Sequence, residues 1–292
     1  EINNKNTPTV TWPTATAIVY GNGISTATLN GGSAVYDNEG VSTVVNGTFA
    51  FAKPDSIPNA GTRTFALTFT PDDQVEFNIV HGTVSIVINQ VIPVVTEWPT
   101  ATEITYGQIL ADATLTGGTA TGLEDVALTG VYAFTNPAEM PIAGNATFST
   151  TFTPADVNYA PVVTVEAEYI SVMVNKAIPT LVELPVATEL TYTETLADAI
   201  ISGGIINGIG GGVIEGLFAF DAPTTMPNAG TANFAATFTP TDMANYNTLP
   251  VEISVVVNKA NPVVTTWPTA SDIFFGQAVS ASVLTGGVAD VE

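Results

Sequence analysis

Three observations predict an all-β chain of tandem β-sandwich domains arranged as a rod: its composition, an internal repeat of 83 to 86 residues, and a period-two alternation of apolar side chains within each repeat. The 292 residues include 45 Thr, 25 Gly and 19 Pro, and only 11% are charged. Thr suits half-buried pleated surfaces, and Gly and Pro supply the turns between short strands. Asp and Glu outnumber Lys and Arg 27 to 5, a formal net charge of −22. So few cations exclude a nucleic-acid partner and electrostatic attachment to anionic lipid. No apolar run reaches the ~18 residues of a membrane span, so no membrane insertion is expected within this segment. Cys is absent, a habit common among exported bacterial proteins.

The repeat is read by self-comparison. Trp12-Pro-Thr-Ala-Thr-Ala-Ile-Val-Tyr-Gly21 returns at Trp98 to Gly107, Leu184 to Thr193 and Trp267 to Gly276, at steps of 86, 86 and 83 residues. The pairs Gly31-Gly32, Gly117-Gly118, Gly203-Gly204 and Gly286-Gly287 keep the same step and are expected as turns. Phe-Thr-Pro closes another block at Pro71, Pro154 and Pro240. Between the Gly pair and the next shared Gly the copies span 15, 12 and 12 residues, and from Phe-Thr-Pro to the closing Asn they span 18, 21 and 18. Such insertions belong in surface loops, which leaves the fixed-length segments as strands. Phe65, Leu67 and Phe69 share one face of such a strand, as do Val84, Ile86 and Ile88 on the last one. The other copies repeat both patterns with Phe148, Thr150, Phe152 and Phe234, Ala236, Phe238, and with Ile170, Val172, Val174 and Ile253, Val255, Val257.

Three complete repeats therefore run over 8–90, 91–176 and 177–259, preceded by a last strand over 1–7 and followed by a partial repeat over 260–292. Both ends fall inside the repeat, as in a window cut from a longer array. The alternative is a partial domain completed by another chain through strand addition. The junctions Asn89-Gln-Val-Ile-Pro93, Asn175-Lys-Ala-Ile-Pro179 and Asn258-Lys-Ala-Asn-Pro262 contain neither Gly nor Ser and read as stiff. With sandwiches about 35 Å long, the array spans on the order of 120 Å.

One set of motifs resembles the tandem bacterial immunoglobulin-like repeats, of the Big/MBG type, found in large surface proteins and adhesins. It comprises Tyr106-Gly-Gln-x-Leu110, Leu115-Thr-Gly-Gly118, Ala143-Gly144, Phe152-Thr-Pro-x-Asp156, Asn158-Tyr159 and Val174-Asn-Lys-Ala-x-Pro179. The resemblance implies Ig-like sandwiches, export to the bacterial cell surface or medium, a stalk or fibre, and no catalysis. It leaves two alternatives: an adhesin module recognising carbohydrate or host protein, and a self-associating filament subunit. Neighbouring repeats of the same chain are the expected partners.

Candidate site residues are few. Trp12, Trp98, Leu184 and Trp267 recur at one repeat position and are assigned to interdomain or core packing, because Leu184 keeps apolar contact but lacks the aromatic face that sugar stacking needs. Asp72, Asp73, Asp156 and Asp242 follow Phe-Thr-Pro; calcium is the metal they would suit, although one Asp per copy is also what a turn uses to bond its own backbone. No other cofactor is expected. Lys176 and Lys259 sit at junctions, where solvation is more natural than a buried covalent cross-link. Gly208-Ile-Gly-Gly-Gly212 lacks the Lys and helix of a phosphate loop and reads as a flexible hairpin loop. Asn46 and Asn145 begin glycosylation sequons that a Thr-rich chain supplies by chance. His81 is the single His, so a Ser/His/Asp triad and a His-ligated metal both lack parts.

Overall fold

The structure, a computed structural model, describes residues 5–291. Glu1 to Asn4 of the expected strand 1–7, and Glu292 of the partial repeat 260–292, lie outside the described residues. Strands and short 3-10 turns make up the regular structure, and no α-helix occurs among the described residues. The chain divides into two compact units. The first comprises Glu1–Thr102, Leu110–Glu139 and Ala146–Val172; the second comprises Glu103–Ile109, Met140–Asn145 and Met173–Glu292. The division passes through repeat 2, and each linker stays on one side of it.

In the first unit, repeat 1 folds as two facing sheets. One has the order Ile18–Val19, Val80–Asn89, Gly61–Pro71, Gly47–Phe51, with the first pair parallel and the others antiparallel. The other has the order Thr9–Thr11, Ser33–Asn38, Val41–Val44, all antiparallel. The opening stretch of the repeat therefore starts in one sheet and crosses to the other. Period-two alternation fills the space between them: Val84, Ile86 and Ile88 are buried, while Thr83, Ser85 and Val87 face outward. Leu67 and Ile24 join this cluster, Ile24 from the 3-10 turn Ile24–Thr26. Phe69 packs with Ala34 and Val45 from across the sandwich. Each fully buried Leu, Ile or Phe contributes about 1.5–3 kcal/mol, which is why these alternating positions set the strand register.

The Gly pairs are bends within a strand, not the turns expected. Leu29–Asn30 and Ser33–Asn38 both pair with the opening stretch, on either side of Trp12-Pro13. Pro13 is buried and has no amide to offer a ladder. A Cβ on Gly32 would lie 3.0 Å from the Pro13 ring and 3.0 Å from Phe49. Gly31 and Gly32, at φ +73° and +91°, carry the strand past that obstruction in a conformation other residues resist.

Both length differences follow the loop expectation in different ways. The longer segment of repeat 1 extends a hairpin, Ser33–Asn38 with Val41–Val44, around Glu39 (φ 49°) and Gly40 (φ 88°). The extra residues of repeat 2 form the 3-10 turn Glu166–Glu168, which divides the last strand into Val162–Val163 and Ile170–Asn175. Also in the first unit, the repeat 2 strands Val94–Glu97, Thr119–Thr121 and Ala127–Leu128 form one sheet, and Gly130–Phe134, Thr150–Pro154 and Val162–Val163 another.

In the second unit, repeat 3 has the four-stranded order Leu190–Thr191, Leu249–Asn258, Gly230–Pro240, Gly216–Phe220 and a facing pair, Thr180–Ala187 with Ile201–Asn207. Val251, Ile253, Val255 and Val257 bury one face of the last strand against Leu190, Leu196 and Phe220. The Thr195 amide and hydroxyl each donate to Asp198 at 2.8 Å, capping the 3-10 turn Leu196–Asp198 and holding that carboxyl below the usual aspartate range. Further along the unit, Val263–Thr266 pairs with Val288–Asp290 and Thr269–Ala270 with Leu284–Thr285, the pattern that opens each repeat.

One core position is mismatched. Phe49, Tyr132 and Phe218 occupy equivalent registers opposite Phe69, Phe152 and Phe238. The Tyr132 hydroxyl is buried with no hydrogen-bond partner among the described residues, and burial pushes its pKa up. Leaving a hydroxyl unpaired costs about 1–3 kcal/mol. Tyr132→Phe is therefore expected to stabilise the protein by about 1 kcal/mol, read as a higher urea midpoint at unchanged m-value; a lower midpoint contradicts this account.

Candidate functional site

The residues that recur without belonging to a core strand gather at the two repeat junctions, one within each compact unit. Each junction begins with backbone. The Val91 amide donates to the Asn158 carbonyl at 3.0 Å and the Ala160 amide to the Val91 carbonyl at 2.8 Å. At the next junction the Ala177 amide donates to the Asn245 carbonyl and the Asn247 amide to the Ala177 carbonyl, both at 2.9 Å. Asn6 makes the same parallel bridge to Phe77 in repeat 1. The linker thus adds one short rung to the loop that follows Phe-Thr-Pro in the next copy. A long polar side chain three residues before the linker Pro reinforces it. Gln90 Nε2 donates to the Val157 carbonyl at 2.7 Å, and Lys176 Nζ to the Met243 carbonyl at 2.6 Å.

That loop is shaped by its aspartate. Asp156 Oδ1 accepts the Asn158 amide at 2.9 Å, Asp242 Oδ1 accepts the Asn245 amide at 3.2 Å, and Asp73 Oδ1 accepts the Val75 and Glu76 amides at 2.9 and 3.1 Å. The Asx turn presents an Asn-Tyr pair to the preceding repeat. Asn158 Oδ1 accepts the buried Ala60 amide at 2.8 Å, and its Nδ2 donates to Asn59 Oδ1 at 3.3 Å. Asn245 Oδ1 accepts the Ala143 amide at 3.0 Å. The Tyr159 ring meets Tyr20 edge-on with centroids 5.7 Å apart, and Tyr246 meets Tyr106 at 5.4 Å. Each such pair adds about 0.5–1.5 kcal/mol beyond the area it buries.

The same tyrosines hold a second contact. Tyr159 Oη accepts the Leu123 amide and Tyr246 Oη the Ile209 amide, both at 3.1 Å. This anchors the 3-10 turns Leu123–Asp125 and Ile209–Gly211, so the Gly-rich segment expected as a flexible loop is a tethered turn. Leu123 and Ile209 each rest on a glycine of the preceding repeat. A Cβ on Gly21 would lie 2.5 Å from Leu123 Cδ1, and one on Gly107 would lie 2.5 Å from Ile209 Cγ2.

The predicted tryptophans lie elsewhere. Trp12 packs inside repeat 1, edge-on to Phe49 at 5.8 Å and directly over Gly82. Trp98 stacks edge-on with Tyr132 at 6.0 Å, and its Nε1 donates to Glu168 Oε2 at 3.1 Å. Leu184 is 55% exposed and Trp267 77% exposed. Of the calcium candidates, Asp73, Asp156 and Asp242 accept turn amides as above, and Asp72 is exposed. Among the described residues no three His, Cys, Asp or Glu side chains converge on a possible metal position. The sequence alone assigns no site role to the junction residues Tyr20, Tyr106, Ala60, Ala143 and the Asn-Tyr pairs. Their signal was recurrence at a fixed step in turn segments, where core packing does not demand it.

No protein-family model matches the chain, and no curated protein matches it. Among solved structures it is similar to Drosophila N-cadherin EC1-3, 11% identical over 85% of this chain and 99% of that one, with a TM-score of 0.24. It is also similar to Sidekick-1 immunoglobulin domains 1-5, 13% identical over 86% of this chain and 59% of that one, with a TM-score of 0.28. A third likeness is to the I9-I11 tandem from titin, 8% identical over 86% of this chain and 100% of that one, with a TM-score of 0.26.

Asn158→Ala removes the acceptor of a buried amide, a loss of about 1–3 kcal/mol. Amide hydrogen exchange at Ala60 is expected to accelerate at least tenfold while Ile86 in the core is unchanged. Unaltered exchange at Ala60 contradicts the assignment.

Proposed function

We propose that this chain is a structural segment of an exported bacterial cell-surface protein, a stalk or fibre-forming region whose working part is the junction between Ig-like repeats, with domains over 8–90, 91–176 and 177–259. The observation that carries the reading is that two junctions use one set of contacts. In both, a linker rung, an Asn accepting an Ala amide, a Tyr-Tyr edge contact and an apolar tip on glycine recur at equivalent positions. A recognition site needs to occur once, whereas a device for joining repeats has to occur at every joint. The lack of Cys, the net charge of −22 and the Thr-rich strands suit a long array kept soluble by mutual repulsion outside the cell. The bacterial and extracellular placement rests on the motif resemblance.

Single-molecule stretching tests the reading. Repeats of 83 to 86 residues should unfold in successive steps of roughly 25–29 nm contour length, unaffected by calcium chelation. Irregular steps, or calcium-dependent ones, contradict it.

A further inference from the structure

The larger sheet of repeat 3 ends in a strand with one open side. In the order Leu190–Thr191, Leu249–Asn258, Gly230–Pro240, Gly216–Phe220, the last member pairs only with Gly230–Pro240. The rungs at its two ends fix which groups are free. The Thr241 amide donates to the Glu215 carbonyl at 2.8 Å, and the Asp221 amide to the Ala235 carbonyl at 3.0 Å. Bonded and non-bonded positions alternate along an antiparallel pair, so Leu217 and Ala219 also bond to Gly230–Pro240. Gly216, Phe218 and Phe220 then turn their amides and carbonyls to the open side, where they meet no backbone partner among the described residues.

Beside this edge, on its inner face, Leu196, Ala197, Ile201, Phe218, Phe220 and Pro223 line a recess of about 350 Å³. On the outer face Leu217 is 78% exposed. Glu215 and Asp221, both exposed, bracket the strand on that same face. Asp221 is oriented there by the Thr237 hydroxyl, which donates to its Oδ1 at 2.7 Å. Between Lys176 and Lys259 the chain has eight Asp and Glu and no Lys or Arg to neutralise them.

The equivalent edges of the other repeats differ at these positions. The bracketing residues are Thr129 and Thr135 in repeat 2, and Asn46 and Ala52 in repeat 1. The outward residue matching Leu217 is Val131 in repeat 2 but Thr48 in repeat 1, which also carries an exposed Lys53 just past its edge. Polar residues and Lys at an edge are the usual guard against strand addition. Repeat 1 has that guard, and repeat 3 has carboxylates in its place.

We propose that the Gly216–Phe220 edge is a strand-addition site for a cationic extended segment of another protein. The segment bonds the free amides and carbonyls of Gly216, Phe218 and Phe220. Its apolar side chain opposite Phe218 enters the recess, and Lys or Arg six positions apart face Glu215 and Asp221. A second copy of this chain suits the edge badly. Antiparallel self-pairing about Phe218 sets Glu215 opposite Asp221 twice, like charges in direct register, between two chains of net charge −22. The site uses none of the joint residues and stands apart from the joining role proposed above.

The test titrates the full chain with the peptide acetyl-Lys-Val-Thr-Val-Thr-Val-Lys-amide and, separately, with its counterpart carrying Glu at both ends. Amide exchange is read at Phe49, Tyr132 and Phe218, the same position in the three repeats. The Lys peptide is expected to slow exchange at Phe218 at least tenfold, at Tyr132 less and at Phe49 not at all, and the Glu peptide to change none of them. In a Glu215→Lys, Asp221→Lys variant, both surface substitutions, the preference at Phe218 reverses to the Glu peptide. Unchanged exchange at Phe218 with the Lys peptide overturns the site. Equal effects of the two peptides, or equal effects of the Lys peptide on all three repeats, overturn the charge recognition assigned to Glu215 and Asp221. Exchange at Phe218 that slows with protein concentration in the absence of peptide assigns the edge to a second copy and overturns the cationic partner.

Discussion

Everything at the junctions depends on one backbone rung. The linker residue Val91, and Ala177 after it, gives an amide to and takes an amide from the loop that follows Phe-Thr-Pro in the next repeat. Two hydrogen bonds contribute little alone, about 1 kcal/mol each. Their importance is geometric. They fix the Asn-Tyr pair within reach of the preceding repeat, so that Asn158 meets the Ala60 amide and Tyr159 meets Tyr20 without a further search. A linker containing Gly or Ser would release this position, and neither residue occurs there.

The strands were legible in the sequence because burial follows the pleat. Val84, Ile86, Ile88 and their counterparts at 170–174 and 253–257 face inward as their alternation requires. The Gly pairs depart from their local turn signal for a physical reason. Two consecutive left-handed glycines signal a hairpin turn by local rules, but here they bend a strand around buried Pro13, a partner some 18 residues away whose constraint no local pattern records. The junction was legible only in part. Asn158-Tyr159 and Ala143-Gly144 stood out as motifs, yet their role lies in an Ala amide and a linker carbonyl, groups every residue has. The tryptophans drew attention by size, and Trp12 and Trp98 are occupied inside their own repeats.

Variation among the copies follows the same logic. Repeat 1 has Glu76-Phe77 where the others have Asn-Tyr, and Phe77 turns inward to meet Tyr36 at 5.7 Å. Its hairpin, Ser33–Asn38 with Val41–Val44, takes the place of the 3-10 tip that carries Leu123 or Ile209. The linker rung nevertheless persists through Asn6, with Lys5 Nζ donating to the Gln74 carbonyl at 2.6 Å. Backbone pairing is therefore the constant of the joint, and side chains are the part that is retuned.

The most direct test of this account is a set of proton NOEs across the two junctions, between the rings of Tyr20 and Tyr159 and of Tyr106 and Tyr246, recorded on the intact chain together with residual dipolar couplings. The account predicts both NOE pairs and a single alignment tensor for the residues on the two sides of each junction. Missing NOEs, with independent tensors on either side of Val91 or Ala177, would contradict it.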